Sequence, residues 1–354
     1  MAGPVLVVAP HPDDEALGAG GCIAWARQAG LAVSVAVLTM GDGFREDALR
    51  YYLRLPLTET EYLHLGYRRQ RESLTALARL QVPEASTVFL GYPDGGLSAL
   101  LGPHWQGNPF RSPTTGAEAV PYWTAQERGA PYTGVALVER LSAIFRAVKP
   151  KTVVVPHPWD RHPDHWATAA FAQLAWLKAG RPAVRWLGYL IHWPGWPHRT
   201  KLWPLPPKNP PPAWPATAWR VLELPPTLRS AKWQALKAYE SQRELIAPFM
   251  RALCGPCEWF GTIFAWEAVE GEAPGAIWRL SLAPDGQIAV FPKPGSGAWA
   301  VVWRGPKVER EVVALGPMSP LLLSPSAVLA QGTSADWAVG PVLPVVGVRE
   351  PQDH

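Results

Sequence analysis

The chain is poor in cysteine. Only Cys22, Cys254 and Cys257 occur in 354 residues, too few for a disulfide framework. Cys254-Gly-Pro-Cys257 has redox spacing, but it follows a predicted helix and precedes an aromatic stretch. A local turn, with or without a structural disulfide, is expected there instead. Charge is also sparse. Charged residues make up 18% of the chain and the net charge is only +4, against a usual charged fraction of roughly 25%. No Lys/Arg block stands out, so nucleic acid and anionic membrane surfaces are not expected partners. No apolar run approaches the ~20 residues of a membrane-crossing helix, so no membrane insertion is expected. Met1-Ala2-Gly3-Pro4 leads straight into a strand, without the basic and apolar segments of a secretory signal. A soluble cytoplasmic protein is the expectation. Asparagine is confined to Asn108 and Asn209. The 40 prolines are roughly twice average usage; together these fit a heat-adapted host or a GC-rich genome.

Hydrophobic residues are plentiful, at 48%. Val5–Ala9 and Thr152–Val155 are continuous β-branched runs that read as buried strands. Leu31–Thr39, Thr87–Leu90 and Val184–His192 read as further strands. Helices are predicted over Asp14–Ala29 with Gly30 as cap, and over Tyr62–Leu80, Gly134–Val148, His165–Gly180 and Leu228–Met250. Strand and helix alternate, which predicts an α/β fold: a mostly parallel sheet with helices on both faces. Leu101–Thr133 lacks periodicity, and so long a loop is usually functional. Pro204–Pro215 reads as an extended crossing segment. From residue 273 the character changes. Ile277–Leu282, Ile288–Phe291 and Trp299–Trp303 are separated by Pro-Asp-Gly and Gly-Ser-Gly and look like β-hairpins. The expected division is a main domain over 1–272 and a small β-rich appendage over 273–354.

Two short segments carry the chemistry: Pro10-His11-Pro12-Asp13-Asp14-Glu15 and His162-Pro163-Asp164-His165. Each follows a predicted strand, at the sheet edge where α/β proteins build ligand sites. His11 and Asp14 are spaced i,i+3, as are His162 and His165, which puts each pair on one side of a helical turn. Imidazole plus carboxylate suits zinc with an open position for water, and two His with one Asp also suit ferrous iron. We read His11, Asp14 and His165 as metal ligands. A divalent ion lowers the pKa of water bound to it toward ~7. Asp13 is then placed to take the proton as general base, and a cationic His162 to stabilise the oxyanion or act as acid. Asp164 is suited to fix the tautomer of a site histidine, and Asp94, in Tyr92-Pro93-Asp94-Gly95, is a further candidate contact. Gly18-Ala19-Gly20-Gly21 allows an alternative non-catalytic nucleotide-binding reading, weakened by the adjacent carboxylates.

On these residues the chain resembles the LmbE/PIG-L family of zinc-dependent de-N-acetylases. The opening Pro-His-Pro-Asp-Asp-Glu is similar to that family's first signature. His157-Pro-Trp-Asp-Arg-His162-Pro-Asp-His165 is similar to its second. Arg69-Gln-Arg-Glu72 and Tyr239-Glu-Ser-Gln242 match two further patterns, and the resemblance spans about residues 5–265. It implies a Rossmann-like domain and hydrolysis of the N-acetyl group of an N-acetylglucosamine-type substrate. It also implies His11, Asp14 and His165 as zinc ligands, Asp13 as general base, His162 as charge stabiliser and Arg69 near the substrate. One departure is Asp160, where some members carry a tyrosine. Oxyanion help would then come from His162, the metal, or aromatic residues of the Leu101–Thr133 loop. Arg69, Asp94, Asp160 and Asp164 are the candidate substrate contacts. Trp105, Trp123, Trp159, Trp193 and Trp196 are candidates to floor a sugar site. Another amide or a phosphoester remains a competing substrate class, and homo-oligomerisation is open.

Overall fold

The computed structural model describes residues 1–263 apart from 54, 102, 103, 106, 158, 159, 181, 194, 195, 198–218 and 262, together with the backbone of strands between 267 and 347. Trp159 and the proline-dense 204–215 segment lie outside the described residues.

The chain runs β1 (Val5–Ala9), α1 (Asp14–Gln28), β2 (Val33–Thr39), α2 (Arg45–Tyr52), α3 (Glu59–Arg79), β3 (Thr87–Tyr92) and α4 (Leu97–Leu100). It continues through α5 (Gly134–Val148), β4 (Thr152–Pro156), α6 (Pro163–Lys178), β5 (Arg185–Tyr189), β6 (Trp219–Glu223), α7 (Pro226–Leu236), α8 (Glu240–Leu253) and β7 (Cys257–Gly261). These seven strands form one sheet in the order β3-β2-β1-β4-β5-β7-β6. β1 to β5 are parallel, with Val5 opposite both Val33 and Thr152. β7 pairs antiparallel with β5 and β6. The expected α/β fold is therefore present, with an antiparallel edge added.

β1 is central, and all five of its residues are completely buried. That is why it reads as an unbroken apolar run rather than an alternating one. From β1 the chain builds outward through β2 and β3, then returns to β1's other side as β4 and β5. The order reverses between β1 and β4, and the gap beyond their C-terminal ends is the favoured ligand position. Both His/Asp segments start there.

α1 is packed on nearly all sides. A Cβ at Gly18 would run into the Tyr189 ring, and one at Gly21 into Leu224. The Gly18–Gly21 run is thus close helix packing, and the phosphate-loop alternative falls. α3 begins three residues before the predicted start, because Thr58 accepts the helix into a capping box: its N–H donates to Glu61 Oε2 at 2.7 Å.

Other expectations are corrected. The single helix over 228–250 is two helices, broken at 237–239. Tyr239 turns inward there, and its hydroxyl donates to Glu15 Oε1 at 2.6 Å. α2, β6 and β7 occupy stretches where no regular element was expected. Cys254 caps α8 and Cys257 opens β7, both as free thiols.

Beyond residue 266 the described strands are β8 (Glu267–Ala268), β9 (Ile277–Leu282), β10 (Ile288–Pro292), β11 (Trp299–Gly305), β12 (Val308–Leu315), β13 (Leu321–Leu323), β14 (Ala330–Gln331) and β15 (Val346–Gly347). They pair only with one another. β9–β10 is the hairpin expected across Pro-Asp-Gly, whereas β11 pairs with β12 rather than back across Gly-Ser-Gly.

Candidate metal centre

The first segment leaves β1 and turns sharply into α1. Asp13 takes a φ of 136°, a region that L residues rarely adopt, at a cost of about 1–3 kcal/mol. The turn is held from both sides. Asp13 N–H donates to Glu15 Oε2 at 2.9 Å, while Asp13 C=O accepts from Ala16 and Leu17. Glu15 is fully buried, and its other oxygen accepts the hydroxyls of Ser73 and Tyr239. Strain at a site residue is thus maintained by a buried polar network reaching α3 and α8.

His11, Asp14 and His165 converge. His11 Nδ1 lies 2.9 Å from Asp14 Oδ2, and His165 Nε2 lies 3.2 Å from the same oxygen. The outward nitrogens meet carboxylates. His11 Nε2 is 3.1 Å from Asp164 Oδ2 and 3.2 Å from Asp94 Oδ1; His165 Nδ1 is 3.2 Å from Asp160 Oδ2. Inward donors facing one point, with outward nitrogens held by carboxylates, is the pattern of metal-ligating histidines. His165 has no exposed side-chain surface, yet neither ring nitrogen makes an aligned hydrogen bond. An imidazole nitrogen that faces a carboxylate in a buried site without an aligned hydrogen bond is suited by a cation bound between them. The residues therefore fit a divalent metal, and two His with one Asp fit zinc or ferrous iron.

The electrostatics agree. Burial raises the Asp14 carboxyl, but the facing His165 and His11 outweigh it and hold Asp14 well below the usual range. Burial lowers His165, but Asp14 and Asp160 push it up to about 10. His11 is likewise raised well above normal, Asp94, Asp14 and Asp164 overcoming its burial. Without an ion the two imidazoles hold protons that a metal would displace.

Asp13 lies beside the donors without joining them. Gln242 Nε2 donates to Asp13 Oδ2 at 2.8 Å, and Arg69 Nη2 lies 3.5 Å from Asp13 Oδ1. Burial and the adjacent Asp14 push Asp13 up to about 8, against the pull of Arg69 and His11. Arg69 also donates to the carbonyls of Gly41 and Pro12 at 2.6 and 3.0 Å. It joins the turns after β1 and β2 while still facing the cavity.

A cavity of about 350 Å³ opens over these groups, within the range of small-molecule sites. Its polar lining includes His11, Asp13, Asp14, Arg69, Asp94 and His162, and its apolar lining Leu17, Phe44, Ile246 and Phe249. His162 reverses one expectation. It was expected cationic, but burial and the neighbouring His11, His165 and His192 lower it to about 3. The geometry agrees, because Asp164 N–H donates to His162 Nδ1 at 3.2 Å. That nitrogen accepts, and the other ring nitrogen carries the proton.

Asp160 and Asp164, expected as substrate contacts, have no exposed side-chain surface. Asp160 accepts the backbone N–H of His162, Ile191 and His192 at 2.9–3.0 Å. Asp164 accepts those of Gly95 and Leu97 at 2.7 and 3.0 Å. Both brace histidines and loops from beneath. The 101–133 loop also differs from expectation. Trp105, Tyr122 and Tyr132 are buried, and Trp123, though exposed, packs on Tyr67. None lines the cavity, nor do Trp193 and Trp196. The sequence reading missed His192 and Gln242 as lining residues. His192 ends the stretch read as a strand, at the same sheet edge as both clusters, which was the available signal. Gln242 ends the Tyr239-Glu-Ser-Gln242 pattern.

Residues 6–176 match the family described as "PIG-L: GlcNAc-PI de-N-acetylase". No curated protein matches significantly. Among solved structures, a conserved protein from Thermus thermophilus is 22% identical, covering 75% of this chain and 96% of its own, at a TM-score of 0.45. An N,N'-diacetylchitobiose deacetylase from Pyrococcus horikoshii is 18% identical, covering 72% and 82%, at 0.46. A 4-carboxy-2-hydroxymuconate hydratase from Pseudomonas putida is 17% identical, covering 76% and 99%, at 0.47. Residues 6–176, which carry β1, β4 and both His/Asp segments, are thus the part of the chain that is similar to the PIG-L (LmbE-like) family.

Proposed function

We propose that the protein is a divalent-metal-dependent hydrolase that removes the N-acetyl group from an N-acetylglucosamine-type sugar or glycoconjugate. The observation that carries this reading is the convergence of His11 Nδ1 and His165 Nε2 on one Asp14 oxygen, with the Asp13 carboxyl in the same cavity but outside that set. Similarity to a family of de-N-acetylases supports an acetamide C–N bond as the one cleaved. His11, Asp14 and His165 would hold the ion, zinc or ferrous iron. When bound it supplies a polarised water and a Lewis acid toward the acyl oxygen.

The chain's own residues do the rest. A divalent charge beside Asp13 favours its ionised form. Gln242 Nε2 and Arg69 orient that carboxylate, which accepts a proton from the attacking water. The water oxygen bonds to the acyl carbon, negative charge develops on the acyl oxygen, and neutral His162 presents an N–H toward it. As the C–N bond breaks, the proton held by Asp13 passes to the leaving nitrogen. The products are acetate and a free amine. Arg69 and Asp94 face the cavity and would contact the sugar. Residues 1–272 would form the catalytic domain and 273–354 an appendage. Among the described residues no helix is long and apolar enough to cross a membrane.

The test is an acetate-release assay on a panel of N-acetyl sugars and phosphoesters. It uses protein stripped of metal by chelation and reloaded with zinc or iron. Metal-restored acetate release is expected. Phosphate release without acetate would overturn the amide assignment.

A further inference from the structure

We propose that His192 is a second catalytic imidazole of this site: with His162, it hydrogen-bonds the acyl oxygen on which negative charge develops. The role rests on the deacetylase reading above. His192 lines the cavity, just past the end of β5. Its ring centroid lies 5.3 Å from that of His162 and 4.7 Å from that of His165. Three consecutive parallel strands, β1, β4 and β5, thus each deliver an imidazole to one edge.

His192 is also held in place. Its backbone N–H donates to Asp160 Oδ2 at 3.0 Å, and its backbone carbonyl accepts from Arg161 N–H at 2.9 Å. Its ring lies on that of Phe249, 5.9 Å away and tilted by 20°. A donor fixed before the reaction costs no reorganisation when charge appears, the property that makes such groups effective. Three buried tyrosine hydroxyls are engaged elsewhere. Tyr122 donates to Asp42, Tyr132 to Gly91 C=O and Tyr239 to Glu15. Asp160 stands where some family members have a tyrosine, and it is fully shielded beneath the histidines. The competing role is coordination, since ligand atoms of Asp14, His165 and His192 lie within 4.8 Å of one another.

The experiment compares the zinc-loaded full chain with H192A and H192Q on an N-acetylglucosamine-type substrate. Zinc stoichiometry and affinity are measured by competition with a chromophoric chelator. H192A is expected to lose about 10²-fold in kcat with KM within about threefold, and to bind zinc as the wild type does. H192Q, which still offers an amide N–H, is expected to recover about tenfold over H192A. A kcat for H192A within about threefold of wild type overturns the proposal. So does a zinc affinity reduced by about tenfold or more, which would make His192 a ligand, and so does a Gln variant no better than Ala. If wild-type protein releases no acetate, the deacetylase reading fails and this role with it. Wild-type turnover undiminished in H192A defeats His192 alone.

Discussion

The floor and the wall of the cavity are built on opposite principles. The floor comes from the turns after β1 and β4, and its carboxylates are braced by backbone N–H groups or buried side chains. Asp160 accepts three N–H groups, Asp164 two, and Glu15 one N–H and two hydroxyls. The wall comes from the entry to α2 and from α8. Phe44, Ile246 and Phe249 face inward, while Tyr51 on α2 and Leu53 and Leu55 just beyond it are exposed. α8 is itself kinked: Ile246 is non-helical, two residues before Pro248. A braced polar floor suits chemistry that needs atoms held to fractions of an ångström. An apolar, locally irregular wall suits selection of what is admitted. Under the proposed function, turnover would depend on the floor and substrate affinity on the wall.

The largest expected break in that division is Asp13→Asn. Removing the proposed base while leaving the three proposed metal donors intact should lower kcat by about 10²–10⁴-fold with metal content unchanged. Turnover with elemental analysis checks this. Loss of metal in the variant would move Asp13 into the donor set. pH dependence of metal loading sharpens the same half of the comparison. The unloaded His11 and His165 are held above normal, His165 at about 10. Both carry protons at neutrality and must release them to bind. Affinity should therefore fall as pH falls, by roughly tenfold per pH unit for each proton released. Zinc competition titrations between about pH 6 and pH 8 measure the slope, and a flat profile would show imidazoles already neutral. Asp160→Asn comes next. It removes the charge behind His165 Nδ1 and mismatches one of three accepted N–H groups, so zinc affinity should fall about 10–100-fold. An unchanged affinity would reduce Asp160 to a loop anchor.

The floor was also the more legible half. β1 and β4 announced themselves because burial on both faces demands continuous apolar residues. α5 was legible to the residue, since Thr133 caps it by accepting Ala136 N–H at 3.4 Å. The i,i+3 spacings after those strands brought the three donors into view. What stayed hidden depends on distant partners. β6 is largely exposed, and its pairing comes from β7, across α7 and α8, so local pattern carries little of it. The break between α7 and α8 contains no glycine or proline. It is made by Tyr239 reaching Glu15 and Ser241 reaching Glu72. Asp160 and Asp164 read as substrate contacts in the sequence because a carboxylate in a loop looks alike whether it faces a ligand or backbone N–H groups. His192 was within reach, for the rule that finds ligands beyond β1 and β4 applies equally to β5.

The smallest expected effect tests the wall. Ile246 lines the cavity from the kink of α8, is half-buried, and carries no group able to transfer a proton or coordinate an ion. Truncating it to alanine leaves the polar floor untouched and removes apolar surface available to a bound substrate. Contacts of this kind act alike on ground and transition states, so KM should rise about 3–10-fold while kcat stays within about twofold. Steady-state kinetics on the best substrate of the panel provide the measurement. A fall in kcat at unchanged KM would mean that the wall helps to align the amide over Asp13, and the division between chemistry and selection would then run through α8 rather than between α8 and the sheet edge.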